Sequence, residues 1–346
     1  MEGDESPLAA RRIRGAHLVG SVPLAGSEQV FRQAAGHLGA HLRRLPDGET
    51  GPRANWIAWQ LEIFRRLPGL ESEVVDIGYM RREKFRLRAG AAPPAFPALG
   101  YSGAALDSYR QFARLREGGV IPPTMRFMVA LPTPFAPLHA FLFPETAALL
   151  AEAYESRMRQ ELEEILAAVP HASLALQWDA AIEFAVLEKV VPSCIEADEI
   201  LEKLAACGNW VPADVELGYH LCYGDAGGRH FKEPADTALL VRVSNHLART
   251  LCRPLDWIHL PVPRERVDEQ YYRPLAQLSL ERDTMLYLGL LHLSDGIDGA
   301  QRRIAAARRH VGSFGVATEC GFGRRAPETV AALLDLHAAV IEGAAP

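Results

Sequence analysis

The segment Val215-Glu-Leu-Gly-Tyr-His-Leu-Cys-Tyr-Gly-Asp225 carries an imidazole and a thiol, His220 and Cys222, two positions apart at the end of an apolar run. If that run is a strand, both side chains point to the same face, because successive strand residues alternate sides. A second apolar run, Phe314-Gly-Val-Ala-Thr-Glu-Cys-Gly-Phe-Gly323, ends in Cys320 followed by glycines. The two cysteines are too far apart for a zinc finger, but two strands of one sheet can bring them together. One imidazole and two thiolates converging in a pocket would form a catalytic zinc site, with a position left for a substrate. The same residues also fit plain packing, since cysteine is among the most buried residue types. Cys194, Cys207 and Cys252 fall in helical or loop contexts and read as packing residues.

Short apolar runs alternate with amphipathic helical patterns along the chain. The strands expected are Ala16–Gly20, His41–Leu45, Met125–Leu131, Ser173–Trp178, Val215–Cys222, Leu255–Leu260, Met285–Leu291 and Phe314–Thr318. Helical patterns include Asn55–Arg66, Leu106–Arg116, Glu145–Val169, Ile195–Ala206, Pro234–Leu251, Ile297–Val311 and Pro327–Ile341. Strands alternating with helices predict a parallel sheet covered by helices, and a count of eight predicts a single α/β domain, a (β/α)8 TIM barrel, over residues 16–343. Residues 1–15 are expected to be a frayed tail, as is Gly343–Pro346. The stretch 69–103 fits barrel topology poorly and predicts an inserted loop or hairpin, a possible lid. Phe127–Pro144 carries no formal charge, yet Pro132, Pro134, Pro137 and Pro144 exclude a membrane span. It reads as a buried strand running into a Pro-rich loop.

Composition narrows the function classes. The 346 residues include 37 basic and 43 acidic side chains, a net charge of −6, which gives no electrostatic footprint for nucleic acid or an anionic membrane. Five irregularly spaced cysteines are no disulfide framework and favour a reducing compartment. With no signal-peptide pattern near Met1, a cytoplasmic location is expected. There is no phosphate-binding loop, dinucleotide fingerprint or Gly-x-Ser-x-Gly elbow.

An ordered set of motifs points further: Gly20-Ser-Val-Pro23, Asp47-Gly-Glu49, Gln177-Trp-Asp179, His220-Leu-Cys222-Tyr-Gly and Glu319-Cys-Gly321. From about Ala16 to Ile341 the chain resembles cobalamin-independent methionine synthase in its catalytic barrel. More broadly it resembles the superfamily that includes uroporphyrinogen decarboxylase. The resemblance implies zinc held by His220, Cys222 and Cys320. The family's fourth ligand, a Glu, has no counterpart, since the alignment offers Pro261; His259, two positions earlier on the same strand face and, with Asp256, a nearby ligand type, is expected to complete the tetrahedron, or else a solvent molecule does. The resemblance also implies that Ser21 takes a substrate carboxylate and that Glu49 and Asp179 hold an amino group. In the family an acid histidine lies in an Asp-x-His-Ser stretch; this chain has Leu291-His-Leu-Ser-Asp295, with Ser294 at that place and His292 two before it.

On this reading the protein is a zinc-dependent transferase that activates a small thiol for alkyl, most plausibly methyl, transfer from a donor. Protonation of the leaving group would fall to His292, to His230 or to a water, with Asp225 on the loop directly after the ligands. Local alternatives stand beside these roles: Glu49 could pair with Arg43, Arg44 or Arg53, and Asp179 could cap the next helix. A metal-independent decarboxylase using Asp47 or Asp179 with Arg53, and a non-catalytic barrel that binds a ligand, are the competing readings. The partners expected are the thiol and the donor, with no nucleic acid and no membrane; self-association into a homo-oligomer is left open.

Overall fold

Buried parallel strands need apolar residues on both faces, and Met-Leu-Tyr-Leu-Gly-Leu-Leu at 285–291 satisfies that need along its whole length. The computed structural model describes residues 13–77, 81–225 and 229–343. Among the described residues there are nine strands: β1 (Arg44–Pro46), β2 (Leu70–Asp76), β3 (Arg81–Leu87), β4 (Arg126–Pro132), β5 (Leu174–Ala180), β6 (Glu216–Leu221), β7 (Trp257–Pro261), β8 (Met285–Leu291) and β9 (Gly315–Thr318). Seven form one parallel sheet in the order β1-β4-β5-β6-β7-β8-β9. Helices such as Tyr101–Glu117, Pro144–Ala168, Ala197–Asn209, Ala238–Thr250 and Gly296–Ala307 join successive strands.

The sheet has seven strands, not the eight expected. The missing one is the run from Ala16 to Gly20. Ala16 makes isolated parallel bridges to Leu42 and to Val316, so the segment touches both ends of the sheet. Its N–H bonds to the His41 carbonyl at 2.9 Å, and the His17 N–H bonds to Val316 O at 2.9 Å. Gly15, at φ +98°, interrupts extended backbone just before it, and no continuous ladder develops.

Two other expectations are refined. The stretch after β4 is not a loop: Phe135–Phe141 is a helix. Its prolines fall at the N-cap (Pro134) and the third helical position (Pro137), where the backbone has no N–H to supply to an earlier turn. The 69–103 insert contains the antiparallel hairpin β2–β3, docked through the buried Phe85 and its bridge to Leu142. The expected tail falls mostly outside the described residues (1–12), as do 344–346 and Gly227-Gly228 of the loop after Asp225. No helix among the described residues is long and apolar enough to cross a membrane.

Alternation sorts the side chains into two cores. Outward residues such as Leu176, Leu217, Ile258 and Leu288 join the helices in the main apolar core. Inside the curl sits a separate small cluster of Met128, Ala175, Trp257, Met285 and Tyr287. Register then builds rows of inward side chains. Gln177, Gly218 and Trp257 are neighbours across β5, β6 and β7, and one step along the strands Asp179, His220 and His259 are neighbours. The second row lies towards the carboxyl ends of the strands, where parallel α/β folds place their ligands.

Candidate metal and substrate site

His220 stands near the end of β6, and Cys222 follows just past it, anchored by its N–H to Ala180 O at 2.9 Å. Cys320 follows the end of β9, where the Thr318 hydroxyl donates to the Cys320 carbonyl at 2.6 Å. The three ligand atoms all lie within 4.8 Å of one another. The two sulfurs are 3.8 Å apart. Two sulfurs each about 2.3 Å from a tetrahedral metal stand ~3.8 Å apart, so the thiol pair is spaced for zinc as it is. The Gly224 N–H donates to Cys222 Sγ at 3.2 Å and holds the sulfur in place. The Cys320 thiol is pushed up by its contact with Cys222 and by burial, the balance expected of two thiols without a cation between them.

His259 lies behind His220, not beside the sulfurs. Its Nε2 meets the Thr318 carbonyl at 3.0 Å. A carbonyl only accepts, so Nε2 carries the proton and Nδ1 is the acceptor. His220 Nδ1, 2.7 Å from that Nδ1, must therefore donate, which leaves His220 Nε2 as a bare lone pair. That Nε2 is buried and has no hydrogen-bond partner. Burial holds both rings neutral, His220 well below its usual value and His259 down to about 3. An orphaned imidazole lone pair next to two thiols is the donor set that zinc takes.

A cavity of about 90 Å3 opens in front of these atoms, more space than a metal ion alone would fill. Ser21, Glu49, Asp179 and Asp225 line it together with His220, Cys222 and Cys320. Glu49 follows β1 in a tight turn at φ 46°, held by its N–H to Asp47 Oδ1 at 2.8 Å. Gly20 leaves room for it: a Cβ there would come within 2.5 Å of Glu49 Oε1. The Ser21 hydroxyl lies against Gly321 and Gly323, and its carbonyl takes the Phe322 N–H at 2.7 Å. Burial pushes Glu49 up to about 8, with the Arg53 charge opposing. Asp179 is pushed well up by burial and then by Glu49. Two buried carboxyls with too few cations are suited to receive a cationic group from a ligand.

The remaining expected residues lie elsewhere. Asp47 does not line the cavity; its carboxylate accepts from the Glu49 N–H, from Arg53 at 2.7 Å and from the Ser108 hydroxyl at 2.8 Å. Arg53 is thus paired with Asp47, not Glu49. Asp179 caps no helix, since Ile182–Leu187 starts without a side-chain cap. His230 and His292 line a second, wider cavity, which shares only Asp225 with the first. His292 donates from Nε2 to Val262 O at 2.9 Å, and its Nδ1 faces Glu319 at 3.2 Å. Burial lowers His292 to about 3, and burial likewise raises Glu319 above the usual carboxyl range. Asp225, raised by burial, faces Arg324 at 3.7 Å.

Arg82 and Arg324 also line the inner cavity and were not anticipated. Arg324 lies four residues past Cys320 and was open to inspection. Arg82 comes from the hairpin, whose place over the cavity no local pattern encodes.

Neither a protein-family model nor a curated protein sequence matches the chain. Solved structures match its fold. A B12-independent methionine synthase from Shewanella sp. W3-18-1, in complex with selenomethionine, superposes with a TM-score of 0.63 at 15% identity, over 96% of this chain and 97% of that one. A methyltransferase from Methanosarcina mazei superposes with a TM-score of 0.53 at 11% identity, over 97% and 96%. Over nearly its full length, the chain has the fold of cobalamin-independent methionine synthase catalytic-domain-like proteins.

Proposed function

We propose that the protein is a zinc-dependent methyltransferase acting on a small thiol, on a (β/α)8-type scaffold in which segment 14–17 takes the eighth place. The observation that carries this reading is the triad His220, Cys222 and Cys320, with sulfurs at zinc spacing and an unpartnered imidazole nitrogen beside them. The Shewanella neighbour holds selenomethionine, a methylated chalcogen amino acid, which is in keeping with a product of such a transfer. When bound, zinc supplies the Lewis acidity that keeps a thiol ionised at neutral pH, where a free thiol with a pKa near ~8.5 is mostly protonated.

The chain's own residues supply the rest. His259 fixes the tautomer and orientation of His220. Glu49 and Asp179 offer negative charge to an ammonium group, and Ser21, with the Arg82 and Arg324 side chains on the same cavity, offers donors to a carboxylate. The apolar wall of Trp56, Ile182 and Phe231 limits water around the reacting sulfur. Asp225 lines both the inner cavity beside the cysteines and the wider cavity through which a donor would enter. It is therefore better placed than His230 or His292 to hand a proton to a leaving group. The partners proposed are the thiol and the donor alone, in the cytoplasm.

Metal analysis of the purified protein and of the Cys222→Ser and Cys320→Ser variants tests the reading. About one zinc per chain is expected in the native protein, with loss in both variants and an unchanged circular dichroism spectrum. Full zinc occupancy in both variants would show that the ligand assignment is wrong.

A further inference from the structure

Inside the curl, one row below the cavity, every polar atom of the Gln177 amide is taken. Oε1 receives the Trp257 indole N–H at 3.3 Å and meets His17 Nε2 at 2.8 Å. Nε2 donates to the Val19 carbonyl at 2.5 Å and to Asp179 Oδ1 at 2.9 Å. An indole N–H can only donate and a carbonyl can only accept, so the amide has one possible orientation. Reversed, its NH2 would face the indole N–H while its oxygen faced Val19 O, two buried clashes at once. Trp257 is itself fixed. The Arg44 guanidinium lies 3.9 Å above its ring, and Gly218 has no Cβ to obstruct it; a side chain there would run into the indole. Arg44 in turn is held by Glu216 at 2.5 Å.

This arrangement commits Asp179. Its Oδ1 is occupied from below by a donor that cannot turn, which leaves Oδ2 for whatever enters the cavity. We infer that Gln177 is a positioning residue that sets the selectivity of the site for amine-bearing ligands, by holding Asp179 in the one rotamer that presents an oxygen to the cavity, with Trp257 as the group that fixes the amide. The inference rests on the thiol-binding reading for the identity of the ligand, but not for the geometry.

The test compares homocysteine with 4-mercaptobutanoate, which lacks only the amine. Binding is read from the absorption of the cobalt(II)-substituted protein, and crystal structures of the variants are determined in parallel. In Gln177→Leu the preference for homocysteine should fall by about tenfold or more, the loss expected when a charged group forfeits a buried hydrogen bond. Metal content should be unchanged, and the Asp179 carboxylate should turn away from the cavity. Trp257→Phe, a milder change should Gln177→Leu fold poorly, should give a smaller loss in the same direction. If the preference and the carboxylate are unmoved in both variants, the inference is overturned while the thiol reading stands. If the native protein binds neither thiol, that reading fails, and the carboxylate orientation alone decides: turned in the variants supports the positioning role, unmoved ends it.

Discussion

The Nδ1 atoms of His220 and His259 stand 2.7 Å apart, and the Thr318 carbonyl on the far side of His259 dictates which of them carries the proton. A backbone carbonyl of β9 thus selects the His220 tautomer that turns a lone pair towards the two cysteines. The element that delivers Cys320 also prepares the imidazole opposite it.

His259→Phe should therefore weaken zinc binding by about 10–100-fold, the usual effect of removing the partner that orients a metal-bound histidine. His259→Gln, whose amide oxygen can still accept from His220, should recover part of the loss. X-ray absorption of the zinc-loaded native protein should show two sulfur and two light-atom neighbours. The same sulfur count is expected in His259→Phe. Unchanged affinity in His259→Phe would remove the orienting role.

A second prediction concerns a buried carboxyl away from the site. Glu183 accepts from the Thr133 hydroxyl, while its Oε2 has no partner, and burial pushes it up to about 7. The folded protein holds this proton more tightly than the unfolded chain does. Its contribution is therefore full below about pH 4.5 and is lost as pH rises towards 7, a difference of about 3 kcal/mol. Glu183→Gln has no proton to lose. Urea unfolding at pH 5 and pH 8 should show a smaller fall in stability for the variant than for the native protein; equal falls would mean that Glu183 ionises normally.

The strands were legible where burial on both faces leaves a continuous apolar run, as at Met285–Leu291, whose bounds match the structure residue for residue. An insert at 69–103, loop or hairpin, was legible from its poor fit to the barrel pattern, but its two strands were not, because β2 exposes most of both faces and is held by pairs such as Arg86–Glu73 at 3.0 Å, so neither strand alternates in polarity. The Ala16 segment reads as a strand by composition, yet strand pairing depends on neighbours that are remote in sequence. At the site, same-face logic on β6 brings His220 and Cys222 together. The same logic on β7 puts His259 on the inner face but says nothing of its depth, and depth separates a ligand from the residue behind it. Asp47 illustrates a further limit: its three donors come from Glu49, Arg53 and Ser108, the last 61 positions away.

Gly218 offers a test of the inner core that is independent of any ligand. A Cβ at this position would stand 2.0 Å from the Trp257 indole, a ring that also packs against the Arg44 guanidinium at 3.9 Å and is fully buried. Gly218→Ala should cost about 1–3 kcal/mol or more, as overpacking of a closed core does. A compensating Trp257→Phe should recover part of it. Thermal unfolding of the single and double variants measures both, and simple additivity of the two changes would show that the contact is not felt.

The two acids of the cavity carry the last prediction. Glu49 and Asp179 are both held well above the usual carboxyl range by burial, and Arg53, whose charge opposes the shift of Glu49, is engaged with Asp47. With both carboxyls raised, the pair should enter ligand binding not fully ionised at neutral pH, and an ammonium group entering the cavity would displace a proton from it. Homocysteine should then bind more tightly than 4-mercaptobutanoate, and its binding should release one proton more than the thiol proton that both ligands give up, a difference that calorimetry in buffers of different ionisation enthalpy can detect. Glu49→Gln and Asp179→Asn should each reduce the preference for the amine by about tenfold or more, since each removes a charged partner from a dry site. Neither should change zinc content. Equal affinity for the two thiols, unaltered by either substitution, would rule out an amino-acid substrate. It would leave the cysteine–histidine triad to act on a thiol of another kind.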